Sequence, residues 1–381
     1  MSQQVWDRTT PPGASELTRT ESVQIDLVRT LCVFFMIGVH VYPGVRAQSF
    51  MYEGSFHWFW LFYVAYLGRA SVAALSFGAG YILYQGGLQA RFGTFVQKRL
   101  KTVYLPMVTW SAIKVLAVVA MVLATGGGLA GALKSLEVDS VLSALNTVFA
   151  LTDRPANVPI AFLRDFFVLV ALCYLLAPVI RRFGLIVLLI VLVLALFRVT
   201  EPLVLRPSIL LFVIAGAYLS VSRMSLSEFS APRLALPAGI VLLILSQVTD
   251  RMQIPHTVLA EEIPNLTARG SLVFFMMCFA QLLTARVAGK SLSPIRSLLF
   301  LTFLSHSIVS QVLGELILLT PMDLMSPGYL LFYFGSIACF IGFAWVLNRM
   351  LPAFPDWAQI ALSGRARRRV REDRLMQSGG I

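Results

Sequence analysis

Two ionisable residues, Arg29 and His40, lie in the first long apolar stretch of the chain. They are eleven positions apart, so on an α-helix they differ by only ~20° around the axis and stand ~16 Å apart along it. Such a face would carry a guanidinium group that binds anions and an imidazole that accepts a proton near neutral pH. The alternative is that Arg29 extends to the membrane surface and that His40 bonds to a neighbouring carbonyl group.

The elements that must position these residues are membrane-spanning helices. Of the 381 residues, 57% are apolar and 13% are charged, whereas soluble domains have about 45–50% and about 25%. This composition excludes a water-soluble globular protein, and the apolar blocks have the length that crosses ~30 Å of hydrocarbon. The sequence therefore predicts an all-α, polytopic membrane protein of about ten transmembrane helices. The predicted spans are 25–44, 59–85, 102–125, 160–180, 183–198, 207–221, 233–249, 270–286, 298–319 and 328–350.

Basic residues are distributed unequally between the two sides of the predicted bundle. If both termini are cytoplasmic, 20 of the 31 lysines and arginines lie in inner segments and seven in outer ones. The positive-inside rule therefore predicts cytoplasmic termini in a multi-pass protein of the cell's inner membrane. Residues 1–22 are predicted to be a disordered cytoplasmic tail, 23–350 the transmembrane domain, and 351–381 a basic cytoplasmic tail.

The spacing from Arg29 to His40 resembles the Arg-x10-His signature that opens the first helix of the acyltransferase-3 family. Members of that family are membrane enzymes that O-acylate surface and exported glycans. Four later segments resemble family motifs in the same order: 69–81, 95–106, 162–169 and 302–306. Two positions depart from the family pattern, because Gly78-Ala-Gly80 replaces a serine and Ala161 replaces a tryptophan. The resemblance covers nearly the whole chain.

The resemblance implies that the co-substrate is a cytosolic acyl-CoA, with acetyl as the expected acyl group and succinyl as an alternative. His40 would then be the general base and Arg29 would hold the donor. Lys98, Arg99 and Lys101, predicted to lie in an inner loop, would bind the phosphate groups of the donor. The alternative for these three loop residues is that they serve only as topogenic charges.

The resemblance also implies a glycan acceptor. In the predicted orientation, Arg69 and the adjacent Arg164 and Asp165 fall in the outer halves of their spans, where they could hydrogen-bond to sugar hydroxyls. The alternative is that Arg69 or Arg164 pairs with Asp165 and stabilises the bundle. His306 is predicted to be a further acceptor-binding residue. It either lines the same cavity as His40 or hydrogen-bonds between helices. Lys114 is a further embedded charge that the sequence does not pair.

Other functions compete with an enzyme. The chain could be a transporter for glycans or small molecules, although it has no visible internal repeat, or a non-catalytic subunit of a polysaccharide-synthesis complex. No metal-ligand spacing or Gly-x-Ser-x-Gly motif occurs, so we expect no metal cofactor and no serine acyl-enzyme. The expected partners are the lipid bilayer, acyl-CoA and the glycan, with polysaccharide-synthesis proteins as further candidates; no nucleic acid is expected. Close helix packing explains Gly78 and Gly80 better than a nucleotide-binding loop does.

Overall fold

The computed structural model describes residues 18–41, 59–87, 91–200, 203–222, 224–252, 257–287, 292–318 and 327–366. Within these ranges every regular element is a helix. Among the described residues, eight helices are long and apolar enough to cross a membrane, and a shorter apolar helix spans Pro207–Val221. These observations confirm the predicted all-α, polytopic class. Ten spans and cytoplasmic termini remain predictions.

We number the helices in chain order. They are α1 (Arg19–Gly38), α2 (Trp60–Gln85), α3 (Phe92–Ala124), α4 (Gly128–Ser135), α5 (Val141–Phe149), α6 (Ala161–Leu175), α7 (Ala177–Leu196), α8 (Pro207–Val221), α9 (Leu226–Phe229), α10 (Pro232–Arg251), α11 (Val258–Val287), α12 (Ser293–Leu318), α13 (Pro327–Met350) and α14 (Asp356–Ser363).

Helix α3 begins about ten residues earlier than the sequence predicted. The segment expected to be an inner loop with Lys98 and Lys101 is helical, and its second half, Gln97-Lys-Arg-Leu-Lys101, consists of residues that favour helices. Pro106 has no N–H and its ring crowds the carbonyl group four residues earlier. The backbone widens into a π-helical turn over Leu100–Tyr104 just before this proline and continues as an α-helix.

The contacts divide the chain into two units. The first unit comprises residues up to Met36, Phe59–Phe95 and Val168–Leu292. The second comprises Ile37–Trp58, Val96–Phe167 and Ser293–Ile381.

Helix α1 begins in the first unit at a capping box. The Thr18 hydroxyl accepts a hydrogen bond from the Glu21 amide at 3.2 Å, and the Glu21 carboxylate accepts one from the Thr18 amide at 3.1 Å. Glu21 also accepts a hydrogen bond from the Tyr81 hydroxyl at 2.8 Å, which ties α1 to α2. Residues 19–22 of the predicted tail are therefore helical, because this box nucleates the helix, and residues 1–17 lie outside the described ranges.

Glycines let α2 and α8 pack backbone to backbone in the first unit. A Cβ atom at Gly80 would overlap the carbonyl oxygen of Val213, and one at Gly216 would overlap that of Phe77. The predicted packing role is therefore confirmed for Gly80. Gly78 does not show the same close approach, because a Cβ atom there would lie 3.7 Å from the nearest side-chain atom, an ordinary van der Waals distance. Sequence inspection did not single out Gly216.

We expect Gly216→Ala to destabilise the protein by ~1–3 kcal/mol, because the added methyl group must push α8 away from α2. Thermal unfolding of the purified protein in detergent measures this loss. Gly342→Ala on α13 is the matched control, since a Cβ atom there meets no atom within 4 Å and alanine favours a helix. Equal melting temperatures for the two variants would contradict the close approach of α2 and α8.

The second unit is built around α3. The Tyr104 hydroxyl donates to the carbonyl oxygen of Phe149 at 2.7 Å and thereby joins α3 to α5. The indole N–H of Trp110 donates to the carbonyl oxygen of Leu362 at 3.0 Å. Gly364 ends α14 with φ +73°, close to the backbone of Thr102. The first part of the predicted basic tail is therefore folded against α3.

Candidate active site

His40 lies just beyond the end of α1. The helix ends at Gly38, and the next two residues form a turn in which the His40 amide donates to the carbonyl oxygen of Ile37 at 3.1 Å. The predicted first span continued to residue 44. It ends earlier because the turn tightens to i→i−3 bonds and because Pro43 follows, which cannot extend a helix. The prediction that Arg29 and His40 share one face of a helix assumed a regular α-helix through position 40, whereas α1 ends at Gly38.

The second unit brings His40 together with His306. The centroids of the two imidazole rings are 5.2 Å apart, and the ring planes are tilted by 45°. The Ser310 hydroxyl, one helical turn beyond His306 on α12, donates a hydrogen bond to the backbone carbonyl oxygen of His40. This bond holds the turn after α1 against α12. His306 therefore lies beside His40, and its role in a shared cavity stays a prediction.

The hydrogen bonds of His306 define which ring nitrogen carries a proton. Its Nδ1 lies 2.7 Å from the carbonyl oxygen of Phe303, and a carbonyl oxygen can only accept, so Nδ1 donates. The side chain is fully buried beside the rings of Phe303 and Phe340, where an unpaired charge would be costly. The ring is therefore neutral, and Nε2 is an acceptor with no hydrogen-bond partner among the described residues.

Further polar groups surround this pair. The Ser307 hydroxyl donates to Asn157 Oδ1 at 2.7 Å, and Lys114 Nζ donates to Gln311 and lies 3.5 Å from the carbonyl oxygen of Ser307. Asn157 is fully buried, and its Nδ2 has no partner within the described part of the chain. The site thus contains two histidines, a lysine, two serine hydroxyls and the side-chain amides of Asn157 and Gln311. Sequence inspection found Lys114 without a partner and missed Asn157, because an asparagine in a predicted loop carries no signal.

The predicted donor-binding residues lie in both units. In the first unit, Arg29 is half-buried and its Nη1 is 3.5 Å from Asp26 Oδ1, a contact between neighbouring turns of α1. In the second unit, Lys98 and Lys101 are exposed and Arg99 is partly buried, all on the first part of α3. All four residues lie on helices, and their role in donor binding stays a prediction.

The predicted acceptor residues Arg164 and Asp165 form a buried ion pair at 3.0 Å in the second unit. Arg164 also donates from Nε to the carbonyl oxygen of Ala150 at 3.1 Å and from Nη2 to that of Leu151 at 2.8 Å. Ala150 ends α5 with φ +51°, so the arginine caps that helix C-terminus. These contacts favour the structural alternative for Arg164. Arg69 lies in the first unit, partly buried on α2.

No group of three His, Cys, Asp or Glu side chains that could hold a metal ion occurs among the residues for which the structure gives positions.

Comparison with known proteins identifies the family. A family model described as an acyltransferase domain matches residues 22–349. The chain belongs to the acyltransferase-3 family. The match includes Arg29, His40, Arg164 and His306 within this acyltransferase-3 domain.

The acyltransferase-3 chain is also similar to a curated protein, "Succinoglycan biosynthesis protein ExoH" of Rhizobium meliloti (strain 1021). The two are 30% identical over 216 residues, which cover 55% of this chain and 58% of that protein. The similarity thus spans somewhat more than half of the relative's length. No solved structure matches this acyltransferase-3 chain.

Proposed function

We propose that this protein is an O-acyltransferase of the inner membrane that transfers an acetyl group from cytosolic acetyl-CoA to a hydroxyl group of an exported polysaccharide. Family membership supports acyl transfer, and the name of the relative, a succinoglycan biosynthesis protein, supports a glycan acceptor. The observation that carries the proposal is the pairing of His40 with His306 at 5.2 Å between ring centroids.

In the proposed reaction His40 is the general base. It accepts the proton of the acceptor hydroxyl while the oxygen attacks the carbonyl carbon of the thioester. The tetrahedral intermediate then collapses, so that the new C–O bond remains and the C–S bond breaks. The proton passes from the imidazolium to the departing CoA thiolate. A positioned imidazole contributes ~10²–10⁴-fold to such a step.

His306 is proposed to be a positioning residue rather than a sugar contact. Its Nδ1–H is held by Phe303, so its Nε2 accepts. An N–H donated by His40 to this acceptor would leave the other nitrogen of His40 unprotonated and ready to act as a base. A carboxylate performs the same orienting role in serine hydrolase triads. Arg29, Lys98, Arg99 and Lys101 are proposed to bind the anionic donor, and Arg69, Arg164 and Asp165 remain proposed acceptor residues.

The decisive experiment supplies the purified full-length protein with radiolabelled acetyl-CoA and deacetylated polysaccharide. We expect acetyl-CoA to be consumed and the label to appear in the polysaccharide. A transporter would move its solute without consuming acetyl-CoA, and a non-catalytic subunit would do neither. Polysaccharide from cells with and without the protein should differ in acetyl content in the same way. No transfer in either assay would refute the proposed function.

His306→Phe should lower kcat by ~10–100-fold, because phenylalanine fills the apolar site without an acceptor for His40. The KM for acetyl-CoA should change little, and the pH profile of kcat should change shape. His306→Gln, which keeps an acceptor oxygen, should restore part of kcat. If both variants show the wild-type pH profile and the same kcat, the positioning role is wrong.

A further inference from the structure

The side-chain amide of Asn157, in the second unit, is a buried donor that the proposed reaction has not used. Its Oδ1 accepts a hydrogen bond from the Ser307 hydroxyl at 2.7 Å, whereas its Nδ2 has no hydrogen-bond partner among the described residues. The side chain is fully buried. A buried donor without a partner lowers the stability of the folded protein, so its retention calls for a function such as contact with a substrate.

The chain holds this amide in one orientation. The backbone carbonyl oxygen of Asn157 accepts a hydrogen bond from the Ile160 amide at 3.0 Å, in the turn that leads into α6. The preceding amide, that of Ala156, donates to the carbonyl oxygen of Thr147 on α5 at 2.8 Å. Because a carboxamide group is planar, the bond from Ser307 to Oδ1 also fixes the direction of the N–H groups of Nδ2. The donor is therefore preorganised.

Asn157 and the proposed base, His40, are attached to the same short stretch of α12. Ser307 binds the Asn157 side chain, and Ser310 donates to the carbonyl oxygen of His40. The ring of His306 lies 5.2 Å from that of His40. Positions 306, 307 and 310 are neighbours on one side of a helix, and the stretch rises only ~6 Å along the axis. The amide donor and the base thus lie in one region of the second unit.

Other polar groups of this region also favour negative charge. Lys114 Nζ lies 3.5 Å from the carbonyl oxygen of Ser307 and donates to Gln311. The Ser111 hydroxyl, one turn before Lys114 on α3, is buried and has no partner within the described ranges. Asn157 is the best donor of the three, because a hydroxyl group rotates and Lys114 is already engaged. Fixed donors near an ammonium group stabilise an oxygen on which negative charge develops.

We propose that Asn157 is a further catalytic residue, whose Nδ2 donates a hydrogen bond to the carbonyl oxygen of the thioester. This inference rests on the proposed acyl transfer. When the acceptor oxygen attacks the carbonyl carbon, an electron pair of the C=O bond moves to the carbonyl oxygen, which becomes negative in the tetrahedral intermediate. Asn157 stabilises that charge without gaining or losing a proton. The pair then re-forms the C=O bond while the C–S bond breaks and the sulfur leaves as a thiolate.

Asn157→Ala should lower kcat by ~10²–10³-fold, the usual effect of removing one donor to an oxyanion. The KM for acetyl-CoA should change far less, because the carbonyl oxygen carries little charge before the attack. Asn157→Asp keeps an oxygen that accepts from Ser307 and replaces the NH₂ group by a second oxygen, so its kcat should be at least as low. Initial rates of the purified full-length protein with acetyl-CoA and deacetylated polysaccharide measure both constants.

Asn146→Ala is the matched control, because Asn146 is also a buried asparagine of the second unit. Its amide has partners on both sides: Nδ2 donates to the Thr152 hydroxyl at 3.1 Å, and Oδ1 accepts from the Thr152 amide at 2.9 Å. Asn146→Ala should lower the melting temperature and keep the wild-type kcat. An equal loss of kcat in the Asn146 and Asn157 variants would contradict the catalytic role.

Infrared spectroscopy of bound acetyl-CoA, labelled with ¹³C at the carbonyl carbon, separates contact with the thioester from a structural role. A hydrogen bond weakens the C=O bond, so we expect a lower stretching frequency in the wild type than in Asn157→Ala. The inference is wrong if both proteins give the same frequency, or if the wild type transfers acetyl groups and both Asn157 variants do so equally fast. Absence of transfer by the wild type would instead refute the proposed function, so the two failures are distinguishable.

Discussion

Replacing His40 with alanine is expected to reduce acyl transfer by ~10²–10⁴-fold, because the acceptor hydroxyl loses the group that takes its proton. The KM for acetyl-CoA should change far less than kcat, since the proposed donor-binding groups are cationic side chains elsewhere. Initial rates with purified protein, acetyl-CoA and deacetylated polysaccharide measure both constants. Because the His40 side chain is only partly buried, the melting temperature should stay close to that of the wild type.

The matched control is His57→Ala, the same substitution at a histidine that lies in a sequence cluster of aromatic residues. This variant should retain wild-type kcat. Full acyl transfer by a stable His40→Ala variant would exclude His40 as the base. Activity lost equally in both histidine variants would point to a general effect on the protein instead.

Arg164→Ala is expected to destabilise the protein by ~3–5 kcal/mol, because it removes one partner of a buried ion pair. The same substitution leaves the carbonyl oxygens of Ala150 and Leu151, at the end of α5, without their guanidinium donor. Thermal unfolding in detergent should show a large fall in melting temperature. Arg164→Lys should recover only part of the lost melting temperature, because an ammonium group cannot reproduce the planar arrangement of N–H donors in a guanidinium group.

Arg154→Ala is the control for this experiment, since Arg154 is exposed in the same connection between α5 and α6. Its melting temperature should match the wild type. The acceptor role of Arg164 makes a different prediction. In that case the Arg164→Ala variant would keep the melting temperature of the wild type and would bind acetyl-CoA normally. It would no longer modify the polysaccharide.

Much of the candidate site was accessible from the sequence. An arginine and a histidine inside an apolar stretch are conspicuous because charge and polarity are costly in lipid, so Arg29, His40 and His306 could all be singled out. Their partners could not be found in this way. Asn157 is an ordinary residue of a predicted loop, and only the fold brings it to Ser307. Gly216 was missed because a glycine in an apolar helix gives no sign of what lies against it.

The sequence by itself determined the class of this protein, because composition and the length of apolar blocks are set by the thickness and low polarity of the bilayer. The residue types in the sequence also indicated which side chains could bind anions or accept protons. The tertiary structure alone decided that His40 lies beside His306 and that Arg164 caps α5. These relations join residues far apart in the chain, and helix periodicity reports only on neighbours within one helix.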